Sequence, residues 1–337
     1  MPSDQSRRRL LLGAGGVLLG GGATVFGGEA AFASLRSGDD PEQLGGDDLT
    51  AGTIPDSADT LLVVHTDRTE PPETVRGVAG VIADTPPFSP VPARVRGLVS
   101  ANSSASVDAA RAGKLAFVSS ADGHGAVVVW ADWTEDHFTD LLGRSGSNDP
   151  RRETRHGRPV YTVGETTGCV LADTAFVVGH PITVTQVIDV WHGDGEPVGE
   201  PTLSAYDRTE RQSPARFSLG DLRLSCGCVT DGERRPAYDH VTRQYGSLSE
   251  SGTLRVSLLF DSTDSASTAT LVDALRADLG LEDGVSARID LPSEAVSALS
   301  VREGDDAVTV RLAPDDTPHP STLTDLLGGL SQLVSET

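Results

Sequence analysis

The sequence predicts an α+β fold made of two related strand-helix-strand-strand-helix units, each an antiparallel sheet with helices on one face. Three observations carry this. The segment 180–188, His-Pro-Ile-Thr-Val-Thr-Gln-Val-Ile, lines up with 319–327, His-Pro-Ser-Thr-Leu-Thr-Asp-Leu-Leu. Upstream, 128–134 and 257–263 are both strand-like runs that end in Asp-x-Thr, at Asp132 and Asp261. Between these landmarks the same kinds of element follow in the same order, the signature of an internal repeat.

In the first unit, residues 126–131 are an apolar strand. Thr134 can cap a short helix with Glu135 and Asp136 in its first turn, where acidic groups complement the helix dipole. Phe138, Leu141 and Leu142 face inward and Gly143 ends the helix. Residues 158–163 and 170–178 read as a β-branched strand pair around a turn at 164–168. Pro181 opens a helix whose stripe, Val184, Val187, Ile188 and Trp191, has i, i+3, i+4, i+7 spacing, and Gly193 stops it.

The second unit begins with a strand at 253–260. A helix near 268–279 follows, with Leu271, Val272, Leu275 and Leu279 on one face and Gly280 as its cap. Residues 295–302 and 307–312 form a hairpin around Glu303-Gly304-Asp305-Asp306, and a last helix from Pro320 presents Leu323, Leu326, Leu327, Leu330 and Val334. A third Asp-x-Thr, at Asp67, follows a strand at 60–65 and begins an extra half-unit with a helix at 75–82 and a strand at 115–119. Residues 201–252 are poorly periodic, with one strand at 215–219. The domain boundaries expected are thus 57–196 for the first α+β domain, 197–252 for a bridging segment and 253–337 for the second unit. In element order each unit resembles the ferredoxin-like arrangement, which implies helices packed on one face of a small antiparallel sheet.

Residues 1–33 read as a targeting segment. Ser6-Arg7-Arg8-Arg9-Leu10-Leu11 precedes an apolar run to Phe26 diluted by Gly13, Gly15, Gly16, Gly20, Gly21 and Gly22. The pair Arg7-Arg8 in this setting resembles the twin-arginine export signal, which implies passage across the membrane in the folded state with the export machinery as partner. Ala31-Phe32-Ala33 supplies a small-x-small cleavage pattern, so cleavage is expected after Ala33. The alternative is retention as an N-terminal anchor, the one contact with a membrane that the sequence offers. Residues 34–56, with Asp39, Asp40, Asp47 and Asp48 among glycines, read as an acidic flexible linker.

Net charge is −22, from 27 basic and 49 acidic residues. Lys114 is the single lysine. Such a surface repels itself at ordinary ionic strength, whereas in molar salt the screening length falls to about 3 Å. Abundant carboxylate with almost no lysine resembles the proteins of halophilic archaea, and together with Arg7-Arg8 the chain resembles their uncharacterised twin-arginine-exported proteins. No site residues transfer from that resemblance. The charge also excludes nucleic acid, which needs a basic footprint.

Cys226-Gly227-Cys228 is the sharpest local feature, since residues i and i+2 of a strand face the same way and two thiols can grip a soft metal, with Cys169 as a third ligand. Buried strand cysteines, or a disulfide from Cys169 to one of the pair, explain the same residues. His180 and His319 occupy matching places and are read as helix-opening caps before proline rather than as an acid-base pair. Asp67, Asp132 and Asp261 are read as turn and cap residues. Trp130, Trp133 and Trp191 are read as packing residues. Asn102-Ser103-Ser104 is an N-glycosylation sequon on an exposed polar stretch. There is no Gly-x-Ser-x-Gly elbow, no His-Glu-x-x-His and no phosphate-binding loop, so no cofactor is implied and nothing specific points to catalysis. The reading is an exported cell-envelope protein, extracellular or held on the outer face, acting as a non-enzymatic binding or structural module toward an unknown envelope ligand or protein. A soft-metal or thiol-redox protein using the cysteines is the alternative, and an exported hydrolase with an unfamiliar site is the third.

Overall fold

The computed structural model describes residues 53–66, 73–84, 88–98, 112–143, 150–220, 236–260, 265–282, 284–313 and 319–335. Their strands are β1 (Ala58–His65), β2 (Ala112–Ser120), β3 (Gly125–Ala131), β4 (Arg151–Arg155), β5 (Arg158–Val163), β6 (Thr166–Ala172), β7 (Ala175–Gly179), β8 (Ala215–Leu219), β9 (Val241–Leu248), β10 (Leu254–Phe260), β11 (Leu299–Glu303) and β12 (Ala307–Leu312). All twelve lie in one sheet, in the order β11-β12-β10-β9-β8-β1-β2-β3-β7-β6-β5-β4. Every neighbouring pair is antiparallel.

The fold is therefore α+β, as predicted, but the strands of both predicted units share a single sheet where separate sheets were expected. They join through β1 and β8, which pair over Leu61–Val64 and Ala215–Ser218. Counted outward from that seam, one side runs β1, β2, β3, β7, β6 and the other β8, β9, β10, β12, β11. On each side the third strand is followed outward by a hairpin taken in reverse chain order, β7 then β6 on one side and β12 then β11 on the other. The hairpin β4–β5 stands outside this correspondence.

One front core runs beneath α1 (Glu73–Ala83), the short α2 (Ala93–Arg96), α3 (Glu135–Gly143), α6 (Ser265–Asp278) and α8 (Pro320–Ser335). It joins Leu62, Phe117 and Val129 of the sheet to Ile82, Phe138, Leu275 and Leu326 of those helices. The back face is covered as well, by α4 (Pro181–His192) and α5 (Thr202–Asp207). Strand alternation shows this directly. Arg216, between the front-core residues Ala215 and Phe217, points backward, where its Nη2 donates to the Tyr206 carbonyl of α5 at 3.1 Å and its guanidinium lies 4.1 Å from the Tyr206 ring. Helices on one face only were expected; helices on both faces are observed. The reason is legible in β1 and β3, whose residues Leu61–Val64 and Ala126–Ala131 are buried throughout and so need cover on each side.

Other elements refine the predicted ones. The run 170–178 is two strands, broken by the turn at Asp173-Thr174, and 295–302 opens with the short helix α7 (Ser293–Ser297) before β11. The poorly periodic stretch 201–252 holds β8 as expected, and also α5 and β9. Lys114, the single lysine, is 4% exposed and sits 4.1 Å from the Trp130 ring, so the exposed cations of the body are arginines. Among the described residues no helix is long and apolar enough to cross a membrane.

Candidate functional site

The two His-Pro histidines do what helix caps do. His180 Nδ1 accepts from the Ile182 N–H at 3.4 Å and His319 Nδ1 accepts from the Ser321 N–H at 3.3 Å. Each follows the strand that lies beside its unit's third strand, β7 or β12, yet α4 packs on the back of the sheet and α8 on the front, so no paired site arises from them. His180 instead stacks on His124, with centroids 3.8 Å apart. Burial and then the neighbouring His124 hold its pKa below the ordinary histidine value. Thr134 caps α3, its Oγ1 accepting from the His137 N–H at 3.1 Å, and Asp132 is exposed beside it. Trp130, Trp133 and Trp191 are all buried.

Cys169 is a free thiol, fully buried in β6, and burial pushes its pKa up to about 12. A thiol so far from ionising is a poor nucleophile. Among the described residues no group of three or more His, Cys, Asp or Glu can hold a metal ion. Cys226, Cys228, Arg7, Arg8, Ala33, Asn102, Asp67 and Asp261 lie outside the described residues.

The polar chemistry gathers instead at the edge formed by β4, β5 and β6. Sequence 151–158, Arg-Arg-Glu-Thr-Arg-His-Gly-Arg, puts four arginines into eight residues of a chain with net charge −22. It folds as a two-residue hairpin because His156 and Gly157 both take positive φ, 49° and 75°, the combination that matches the twist of paired strands. β4 is the edge strand and is exposed along its whole length.

The turn is clamped onto the end of α4. Arg155 donates from Nε and Nη2 to the two carboxylate oxygens of Asp189, at 2.8 and 2.6 Å. The His156 ring reaches Asp189 at 2.9 Å and Asp194 at 3.2 Å, and packs on His192 with centroids 4.9 Å apart. The hydrogen bond from Arg155 holds the Asp189 carboxyl below the usual carboxylate range, while burial holds His192 below the usual histidine range. Farther along, Arg151 pairs with Glu153 at 2.6 Å and Arg152 approaches Glu135 at 3.6 Å. Their side chains remain 79% and 65% exposed. Pairs that exposed contribute about 0–1 kcal/mol, so both guanidinium groups are available to a competing carboxylate.

Beside the hairpin a cleft of about 300 Å³ opens at the start of α3, lined by Trp133, Glu135, Arg158, Asp173 and Phe176 among others. Tyr161 donates its hydroxyl to Glu135, and burial with that carboxylate pushes the phenol up to about 12. The indole N–H of Trp133 is buried with no hydrogen-bond partner. The cleft thus offers a guanidinium and two carboxylates, which suits a small polar ligand better than an apolar one. Sequence reasoning passed over this region. The available signal was the arginine cluster around His-Gly, hidden because an edge strand exposed on both faces shows no apolar alternation.

No family model and no curated protein matches the chain. Among solved structures, it is similar to crystal form IV of TP0453 at 10% identity and a TM-score of 0.45, over 82% of this chain and 96% of that one. Crystal forms III and I of TP0453 are similar at 11% and 12% identity, each with a TM-score of 0.47, over 83% and 88% of this chain and 97% and 99% of theirs.

Proposed function

We propose that this chain is an exported cell-envelope protein, a non-enzymatic module that binds a carboxylate-rich partner through the arginine hairpin 151–158. The body is two related half-units, β1 to β7 with α4 and β8 to β12 with α8, in which the seam joins corresponding first strands. The matching strand orders support this reading, and they make the hairpin the part of the sheet that one half has and the other lacks. That is the observation on which the function rests: an added, fully exposed edge strand carries the densest cluster of cations on an anionic body. Guanidinium groups recognise carboxylates in a planar, bidentate geometry, and an edge strand offers free backbone groups to an extended segment. Export through the twin-arginine route, with Arg7 and Arg8 as its signal, brings the folded body to the envelope, and the membrane is met only through the N-terminal segment if it stays uncleaved. The thiol-redox alternative loses support from the buried, un-ionised Cys169.

The binding of a glutamate-rich peptide of about ten residues to the purified full chain, followed by fluorescence anisotropy across salt concentrations, tests the proposal. The double substitution Arg151→Glu/Arg152→Glu should weaken binding at least about tenfold, equivalent to about 1.4 kcal/mol. Arg302→Glu on the opposite edge strand should leave it unchanged. Equal losses from both substitutions would mean that the peptide senses only overall charge. Export is checked in cells, where Arg7→Lys/Arg8→Lys should trap the folded chain inside; undiminished export would remove that part of the reading.

A further inference from the structure

The hairpin faces the place where the N-terminal part of the chain joins the body. Val198 N–H donates to the Ile54 carbonyl at 2.7 Å, Asp56 N–H donates to the Glu196 carbonyl at 2.9 Å, and Pro55 bridges to Pro197. Asp194, two residues before Glu196, is the same residue that touches His156 of the hairpin turn at 3.2 Å. Residue 53 therefore lies one position before the pairing with 196–198, the stretch that also meets the hairpin turn through Asp194. What precedes it is Asp39, Asp40, Glu42, Asp47 and Asp48, five carboxylates with no basic residue between them.

We infer that the acidic segment 39–48 occupies the arginine hairpin of its own chain, and so acts as an internal competitor at the binding surface proposed above, on which this inference depends. Reach is sufficient. Strand β4 is about 17 Å long at roughly 3.4 Å per residue, and ten extended residues span about 33 Å. Charge complementarity selects this occupant, since the hairpin is basic and the segment purely acidic. Salt favours it over an untethered acidic chain. At molar salt the screening length of about 3 Å removes long-range attraction, leaving contact pairs at hydrogen-bond distance. A segment on the same chain meets the hairpin at an effective concentration in the millimolar range without needing that attraction.

The full chain is compared with its Asp39→Asn/Asp40→Asn/Glu42→Gln/Asp47→Asn/Asp48→Asn variant for binding of the glutamate-rich peptide. An effective concentration of about 1 mM acting against an intrinsic dissociation constant of about 0.1 mM predicts that the neutralised variant binds about tenfold tighter. Adding Arg151→Glu/Arg152→Glu to that variant should abolish the gain; a gain that persists arises elsewhere and overturns the inference. If both chains bind equally well, the segment does not occupy the hairpin, and the hairpin remains a binding surface. If neither binds, the binding surface itself is wrong and the inference falls with it.

Discussion

Phe176→Ala is expected to destabilise the body by about 3–5 kcal/mol, the cost of removing a buried aromatic ring without refilling its space. Phe176 sits in β7 between Val129 of β3 and Val170 of β6, is 1% exposed, and packs against Phe138 and Trp133 with centroids 5.0 and 5.4 Å away. It joins the start of α3 to the sheet and forms the inner wall of the cleft. Neighbours on two strands and a helix limit how far the site can collapse, so most of the cavity should persist. Denaturant unfolding measures the loss, and emission from the buried Trp133 should shift to the red as water enters. Phe176→Leu, which leaves a smaller void, should cost less. A loss below about 1 kcal/mol for the alanine variant would show that the ring is not packed as described.

Asp59→Ala is expected to cost about 3 kcal/mol and to uncouple the two sides of the seam. Arg243 of β9 reaches across β8 to β1, where Nη2 donates to Asp59 Oδ1 at 2.8 Å and Nη1 donates to the Asp59 carbonyl and to Ser218 Oγ, the latter at 3.3 Å. The Arg243 side chain is 4% exposed and that of Asp59 22%. Removing the carboxylate leaves a guanidinium buried without its counter-charge, which costs about 3–5 kcal/mol in a fully buried pair. The partial exposure of Asp59 places this pair at the low end. Because β1 and β8 pair over only four residues each, the seam depends on such cross-links. The variant should therefore unfold over a broader range, or in two steps by calorimetry. The double variant Asp59→Ala/Arg243→Met should recover part of the stability, since an apolar side chain has no charge to strand. A single sharp transition with unchanged midpoint in Asp59→Ala would rule out this role for the pair.

The elements that could be read from the sequence are those whose burial is one-sided and local. Val184, Val187, Ile188 and Trp191 fall on one stripe of α4, and Leu323, Leu326, Leu327 and Leu330 on one stripe of α8; all are buried. Caps are equally local, which is why Thr134, His180 and His319 were assigned correctly from their neighbours. The elements passed over break the rule that strands alternate apolar and polar residues. β4 is exposed on every residue. β9 reads Val-Thr-Arg-Gln-Tyr-Gly-Ser-Leu, polar in composition yet largely buried, because Arg243 finds Asp59 and Gln244 Oε1 accepts from Ser331 Oγ at 3.0 Å. Those partners are 184 and 87 residues away in the chain, beyond any window in which periodicity can be sensed.

The candidate site divides in the same way. Its main part, an arginine-rich run with a His-Gly turn, is visible in the sequence; its place at the edge of the sheet is not. By itself the sequence determined the α+β class and the anionic character of the chain, because each follows from side-chain spacing or from composition. Tertiary structure alone decided that the twelve described strands share one sheet and that helices cover both of its faces. It also decided that the arginine hairpin stands at the free edge beside the point where the N-terminal segment joins. Each of these is a pairing between distant strands, chosen by which buried surfaces and charges can be satisfied together, and no local pattern encodes that choice.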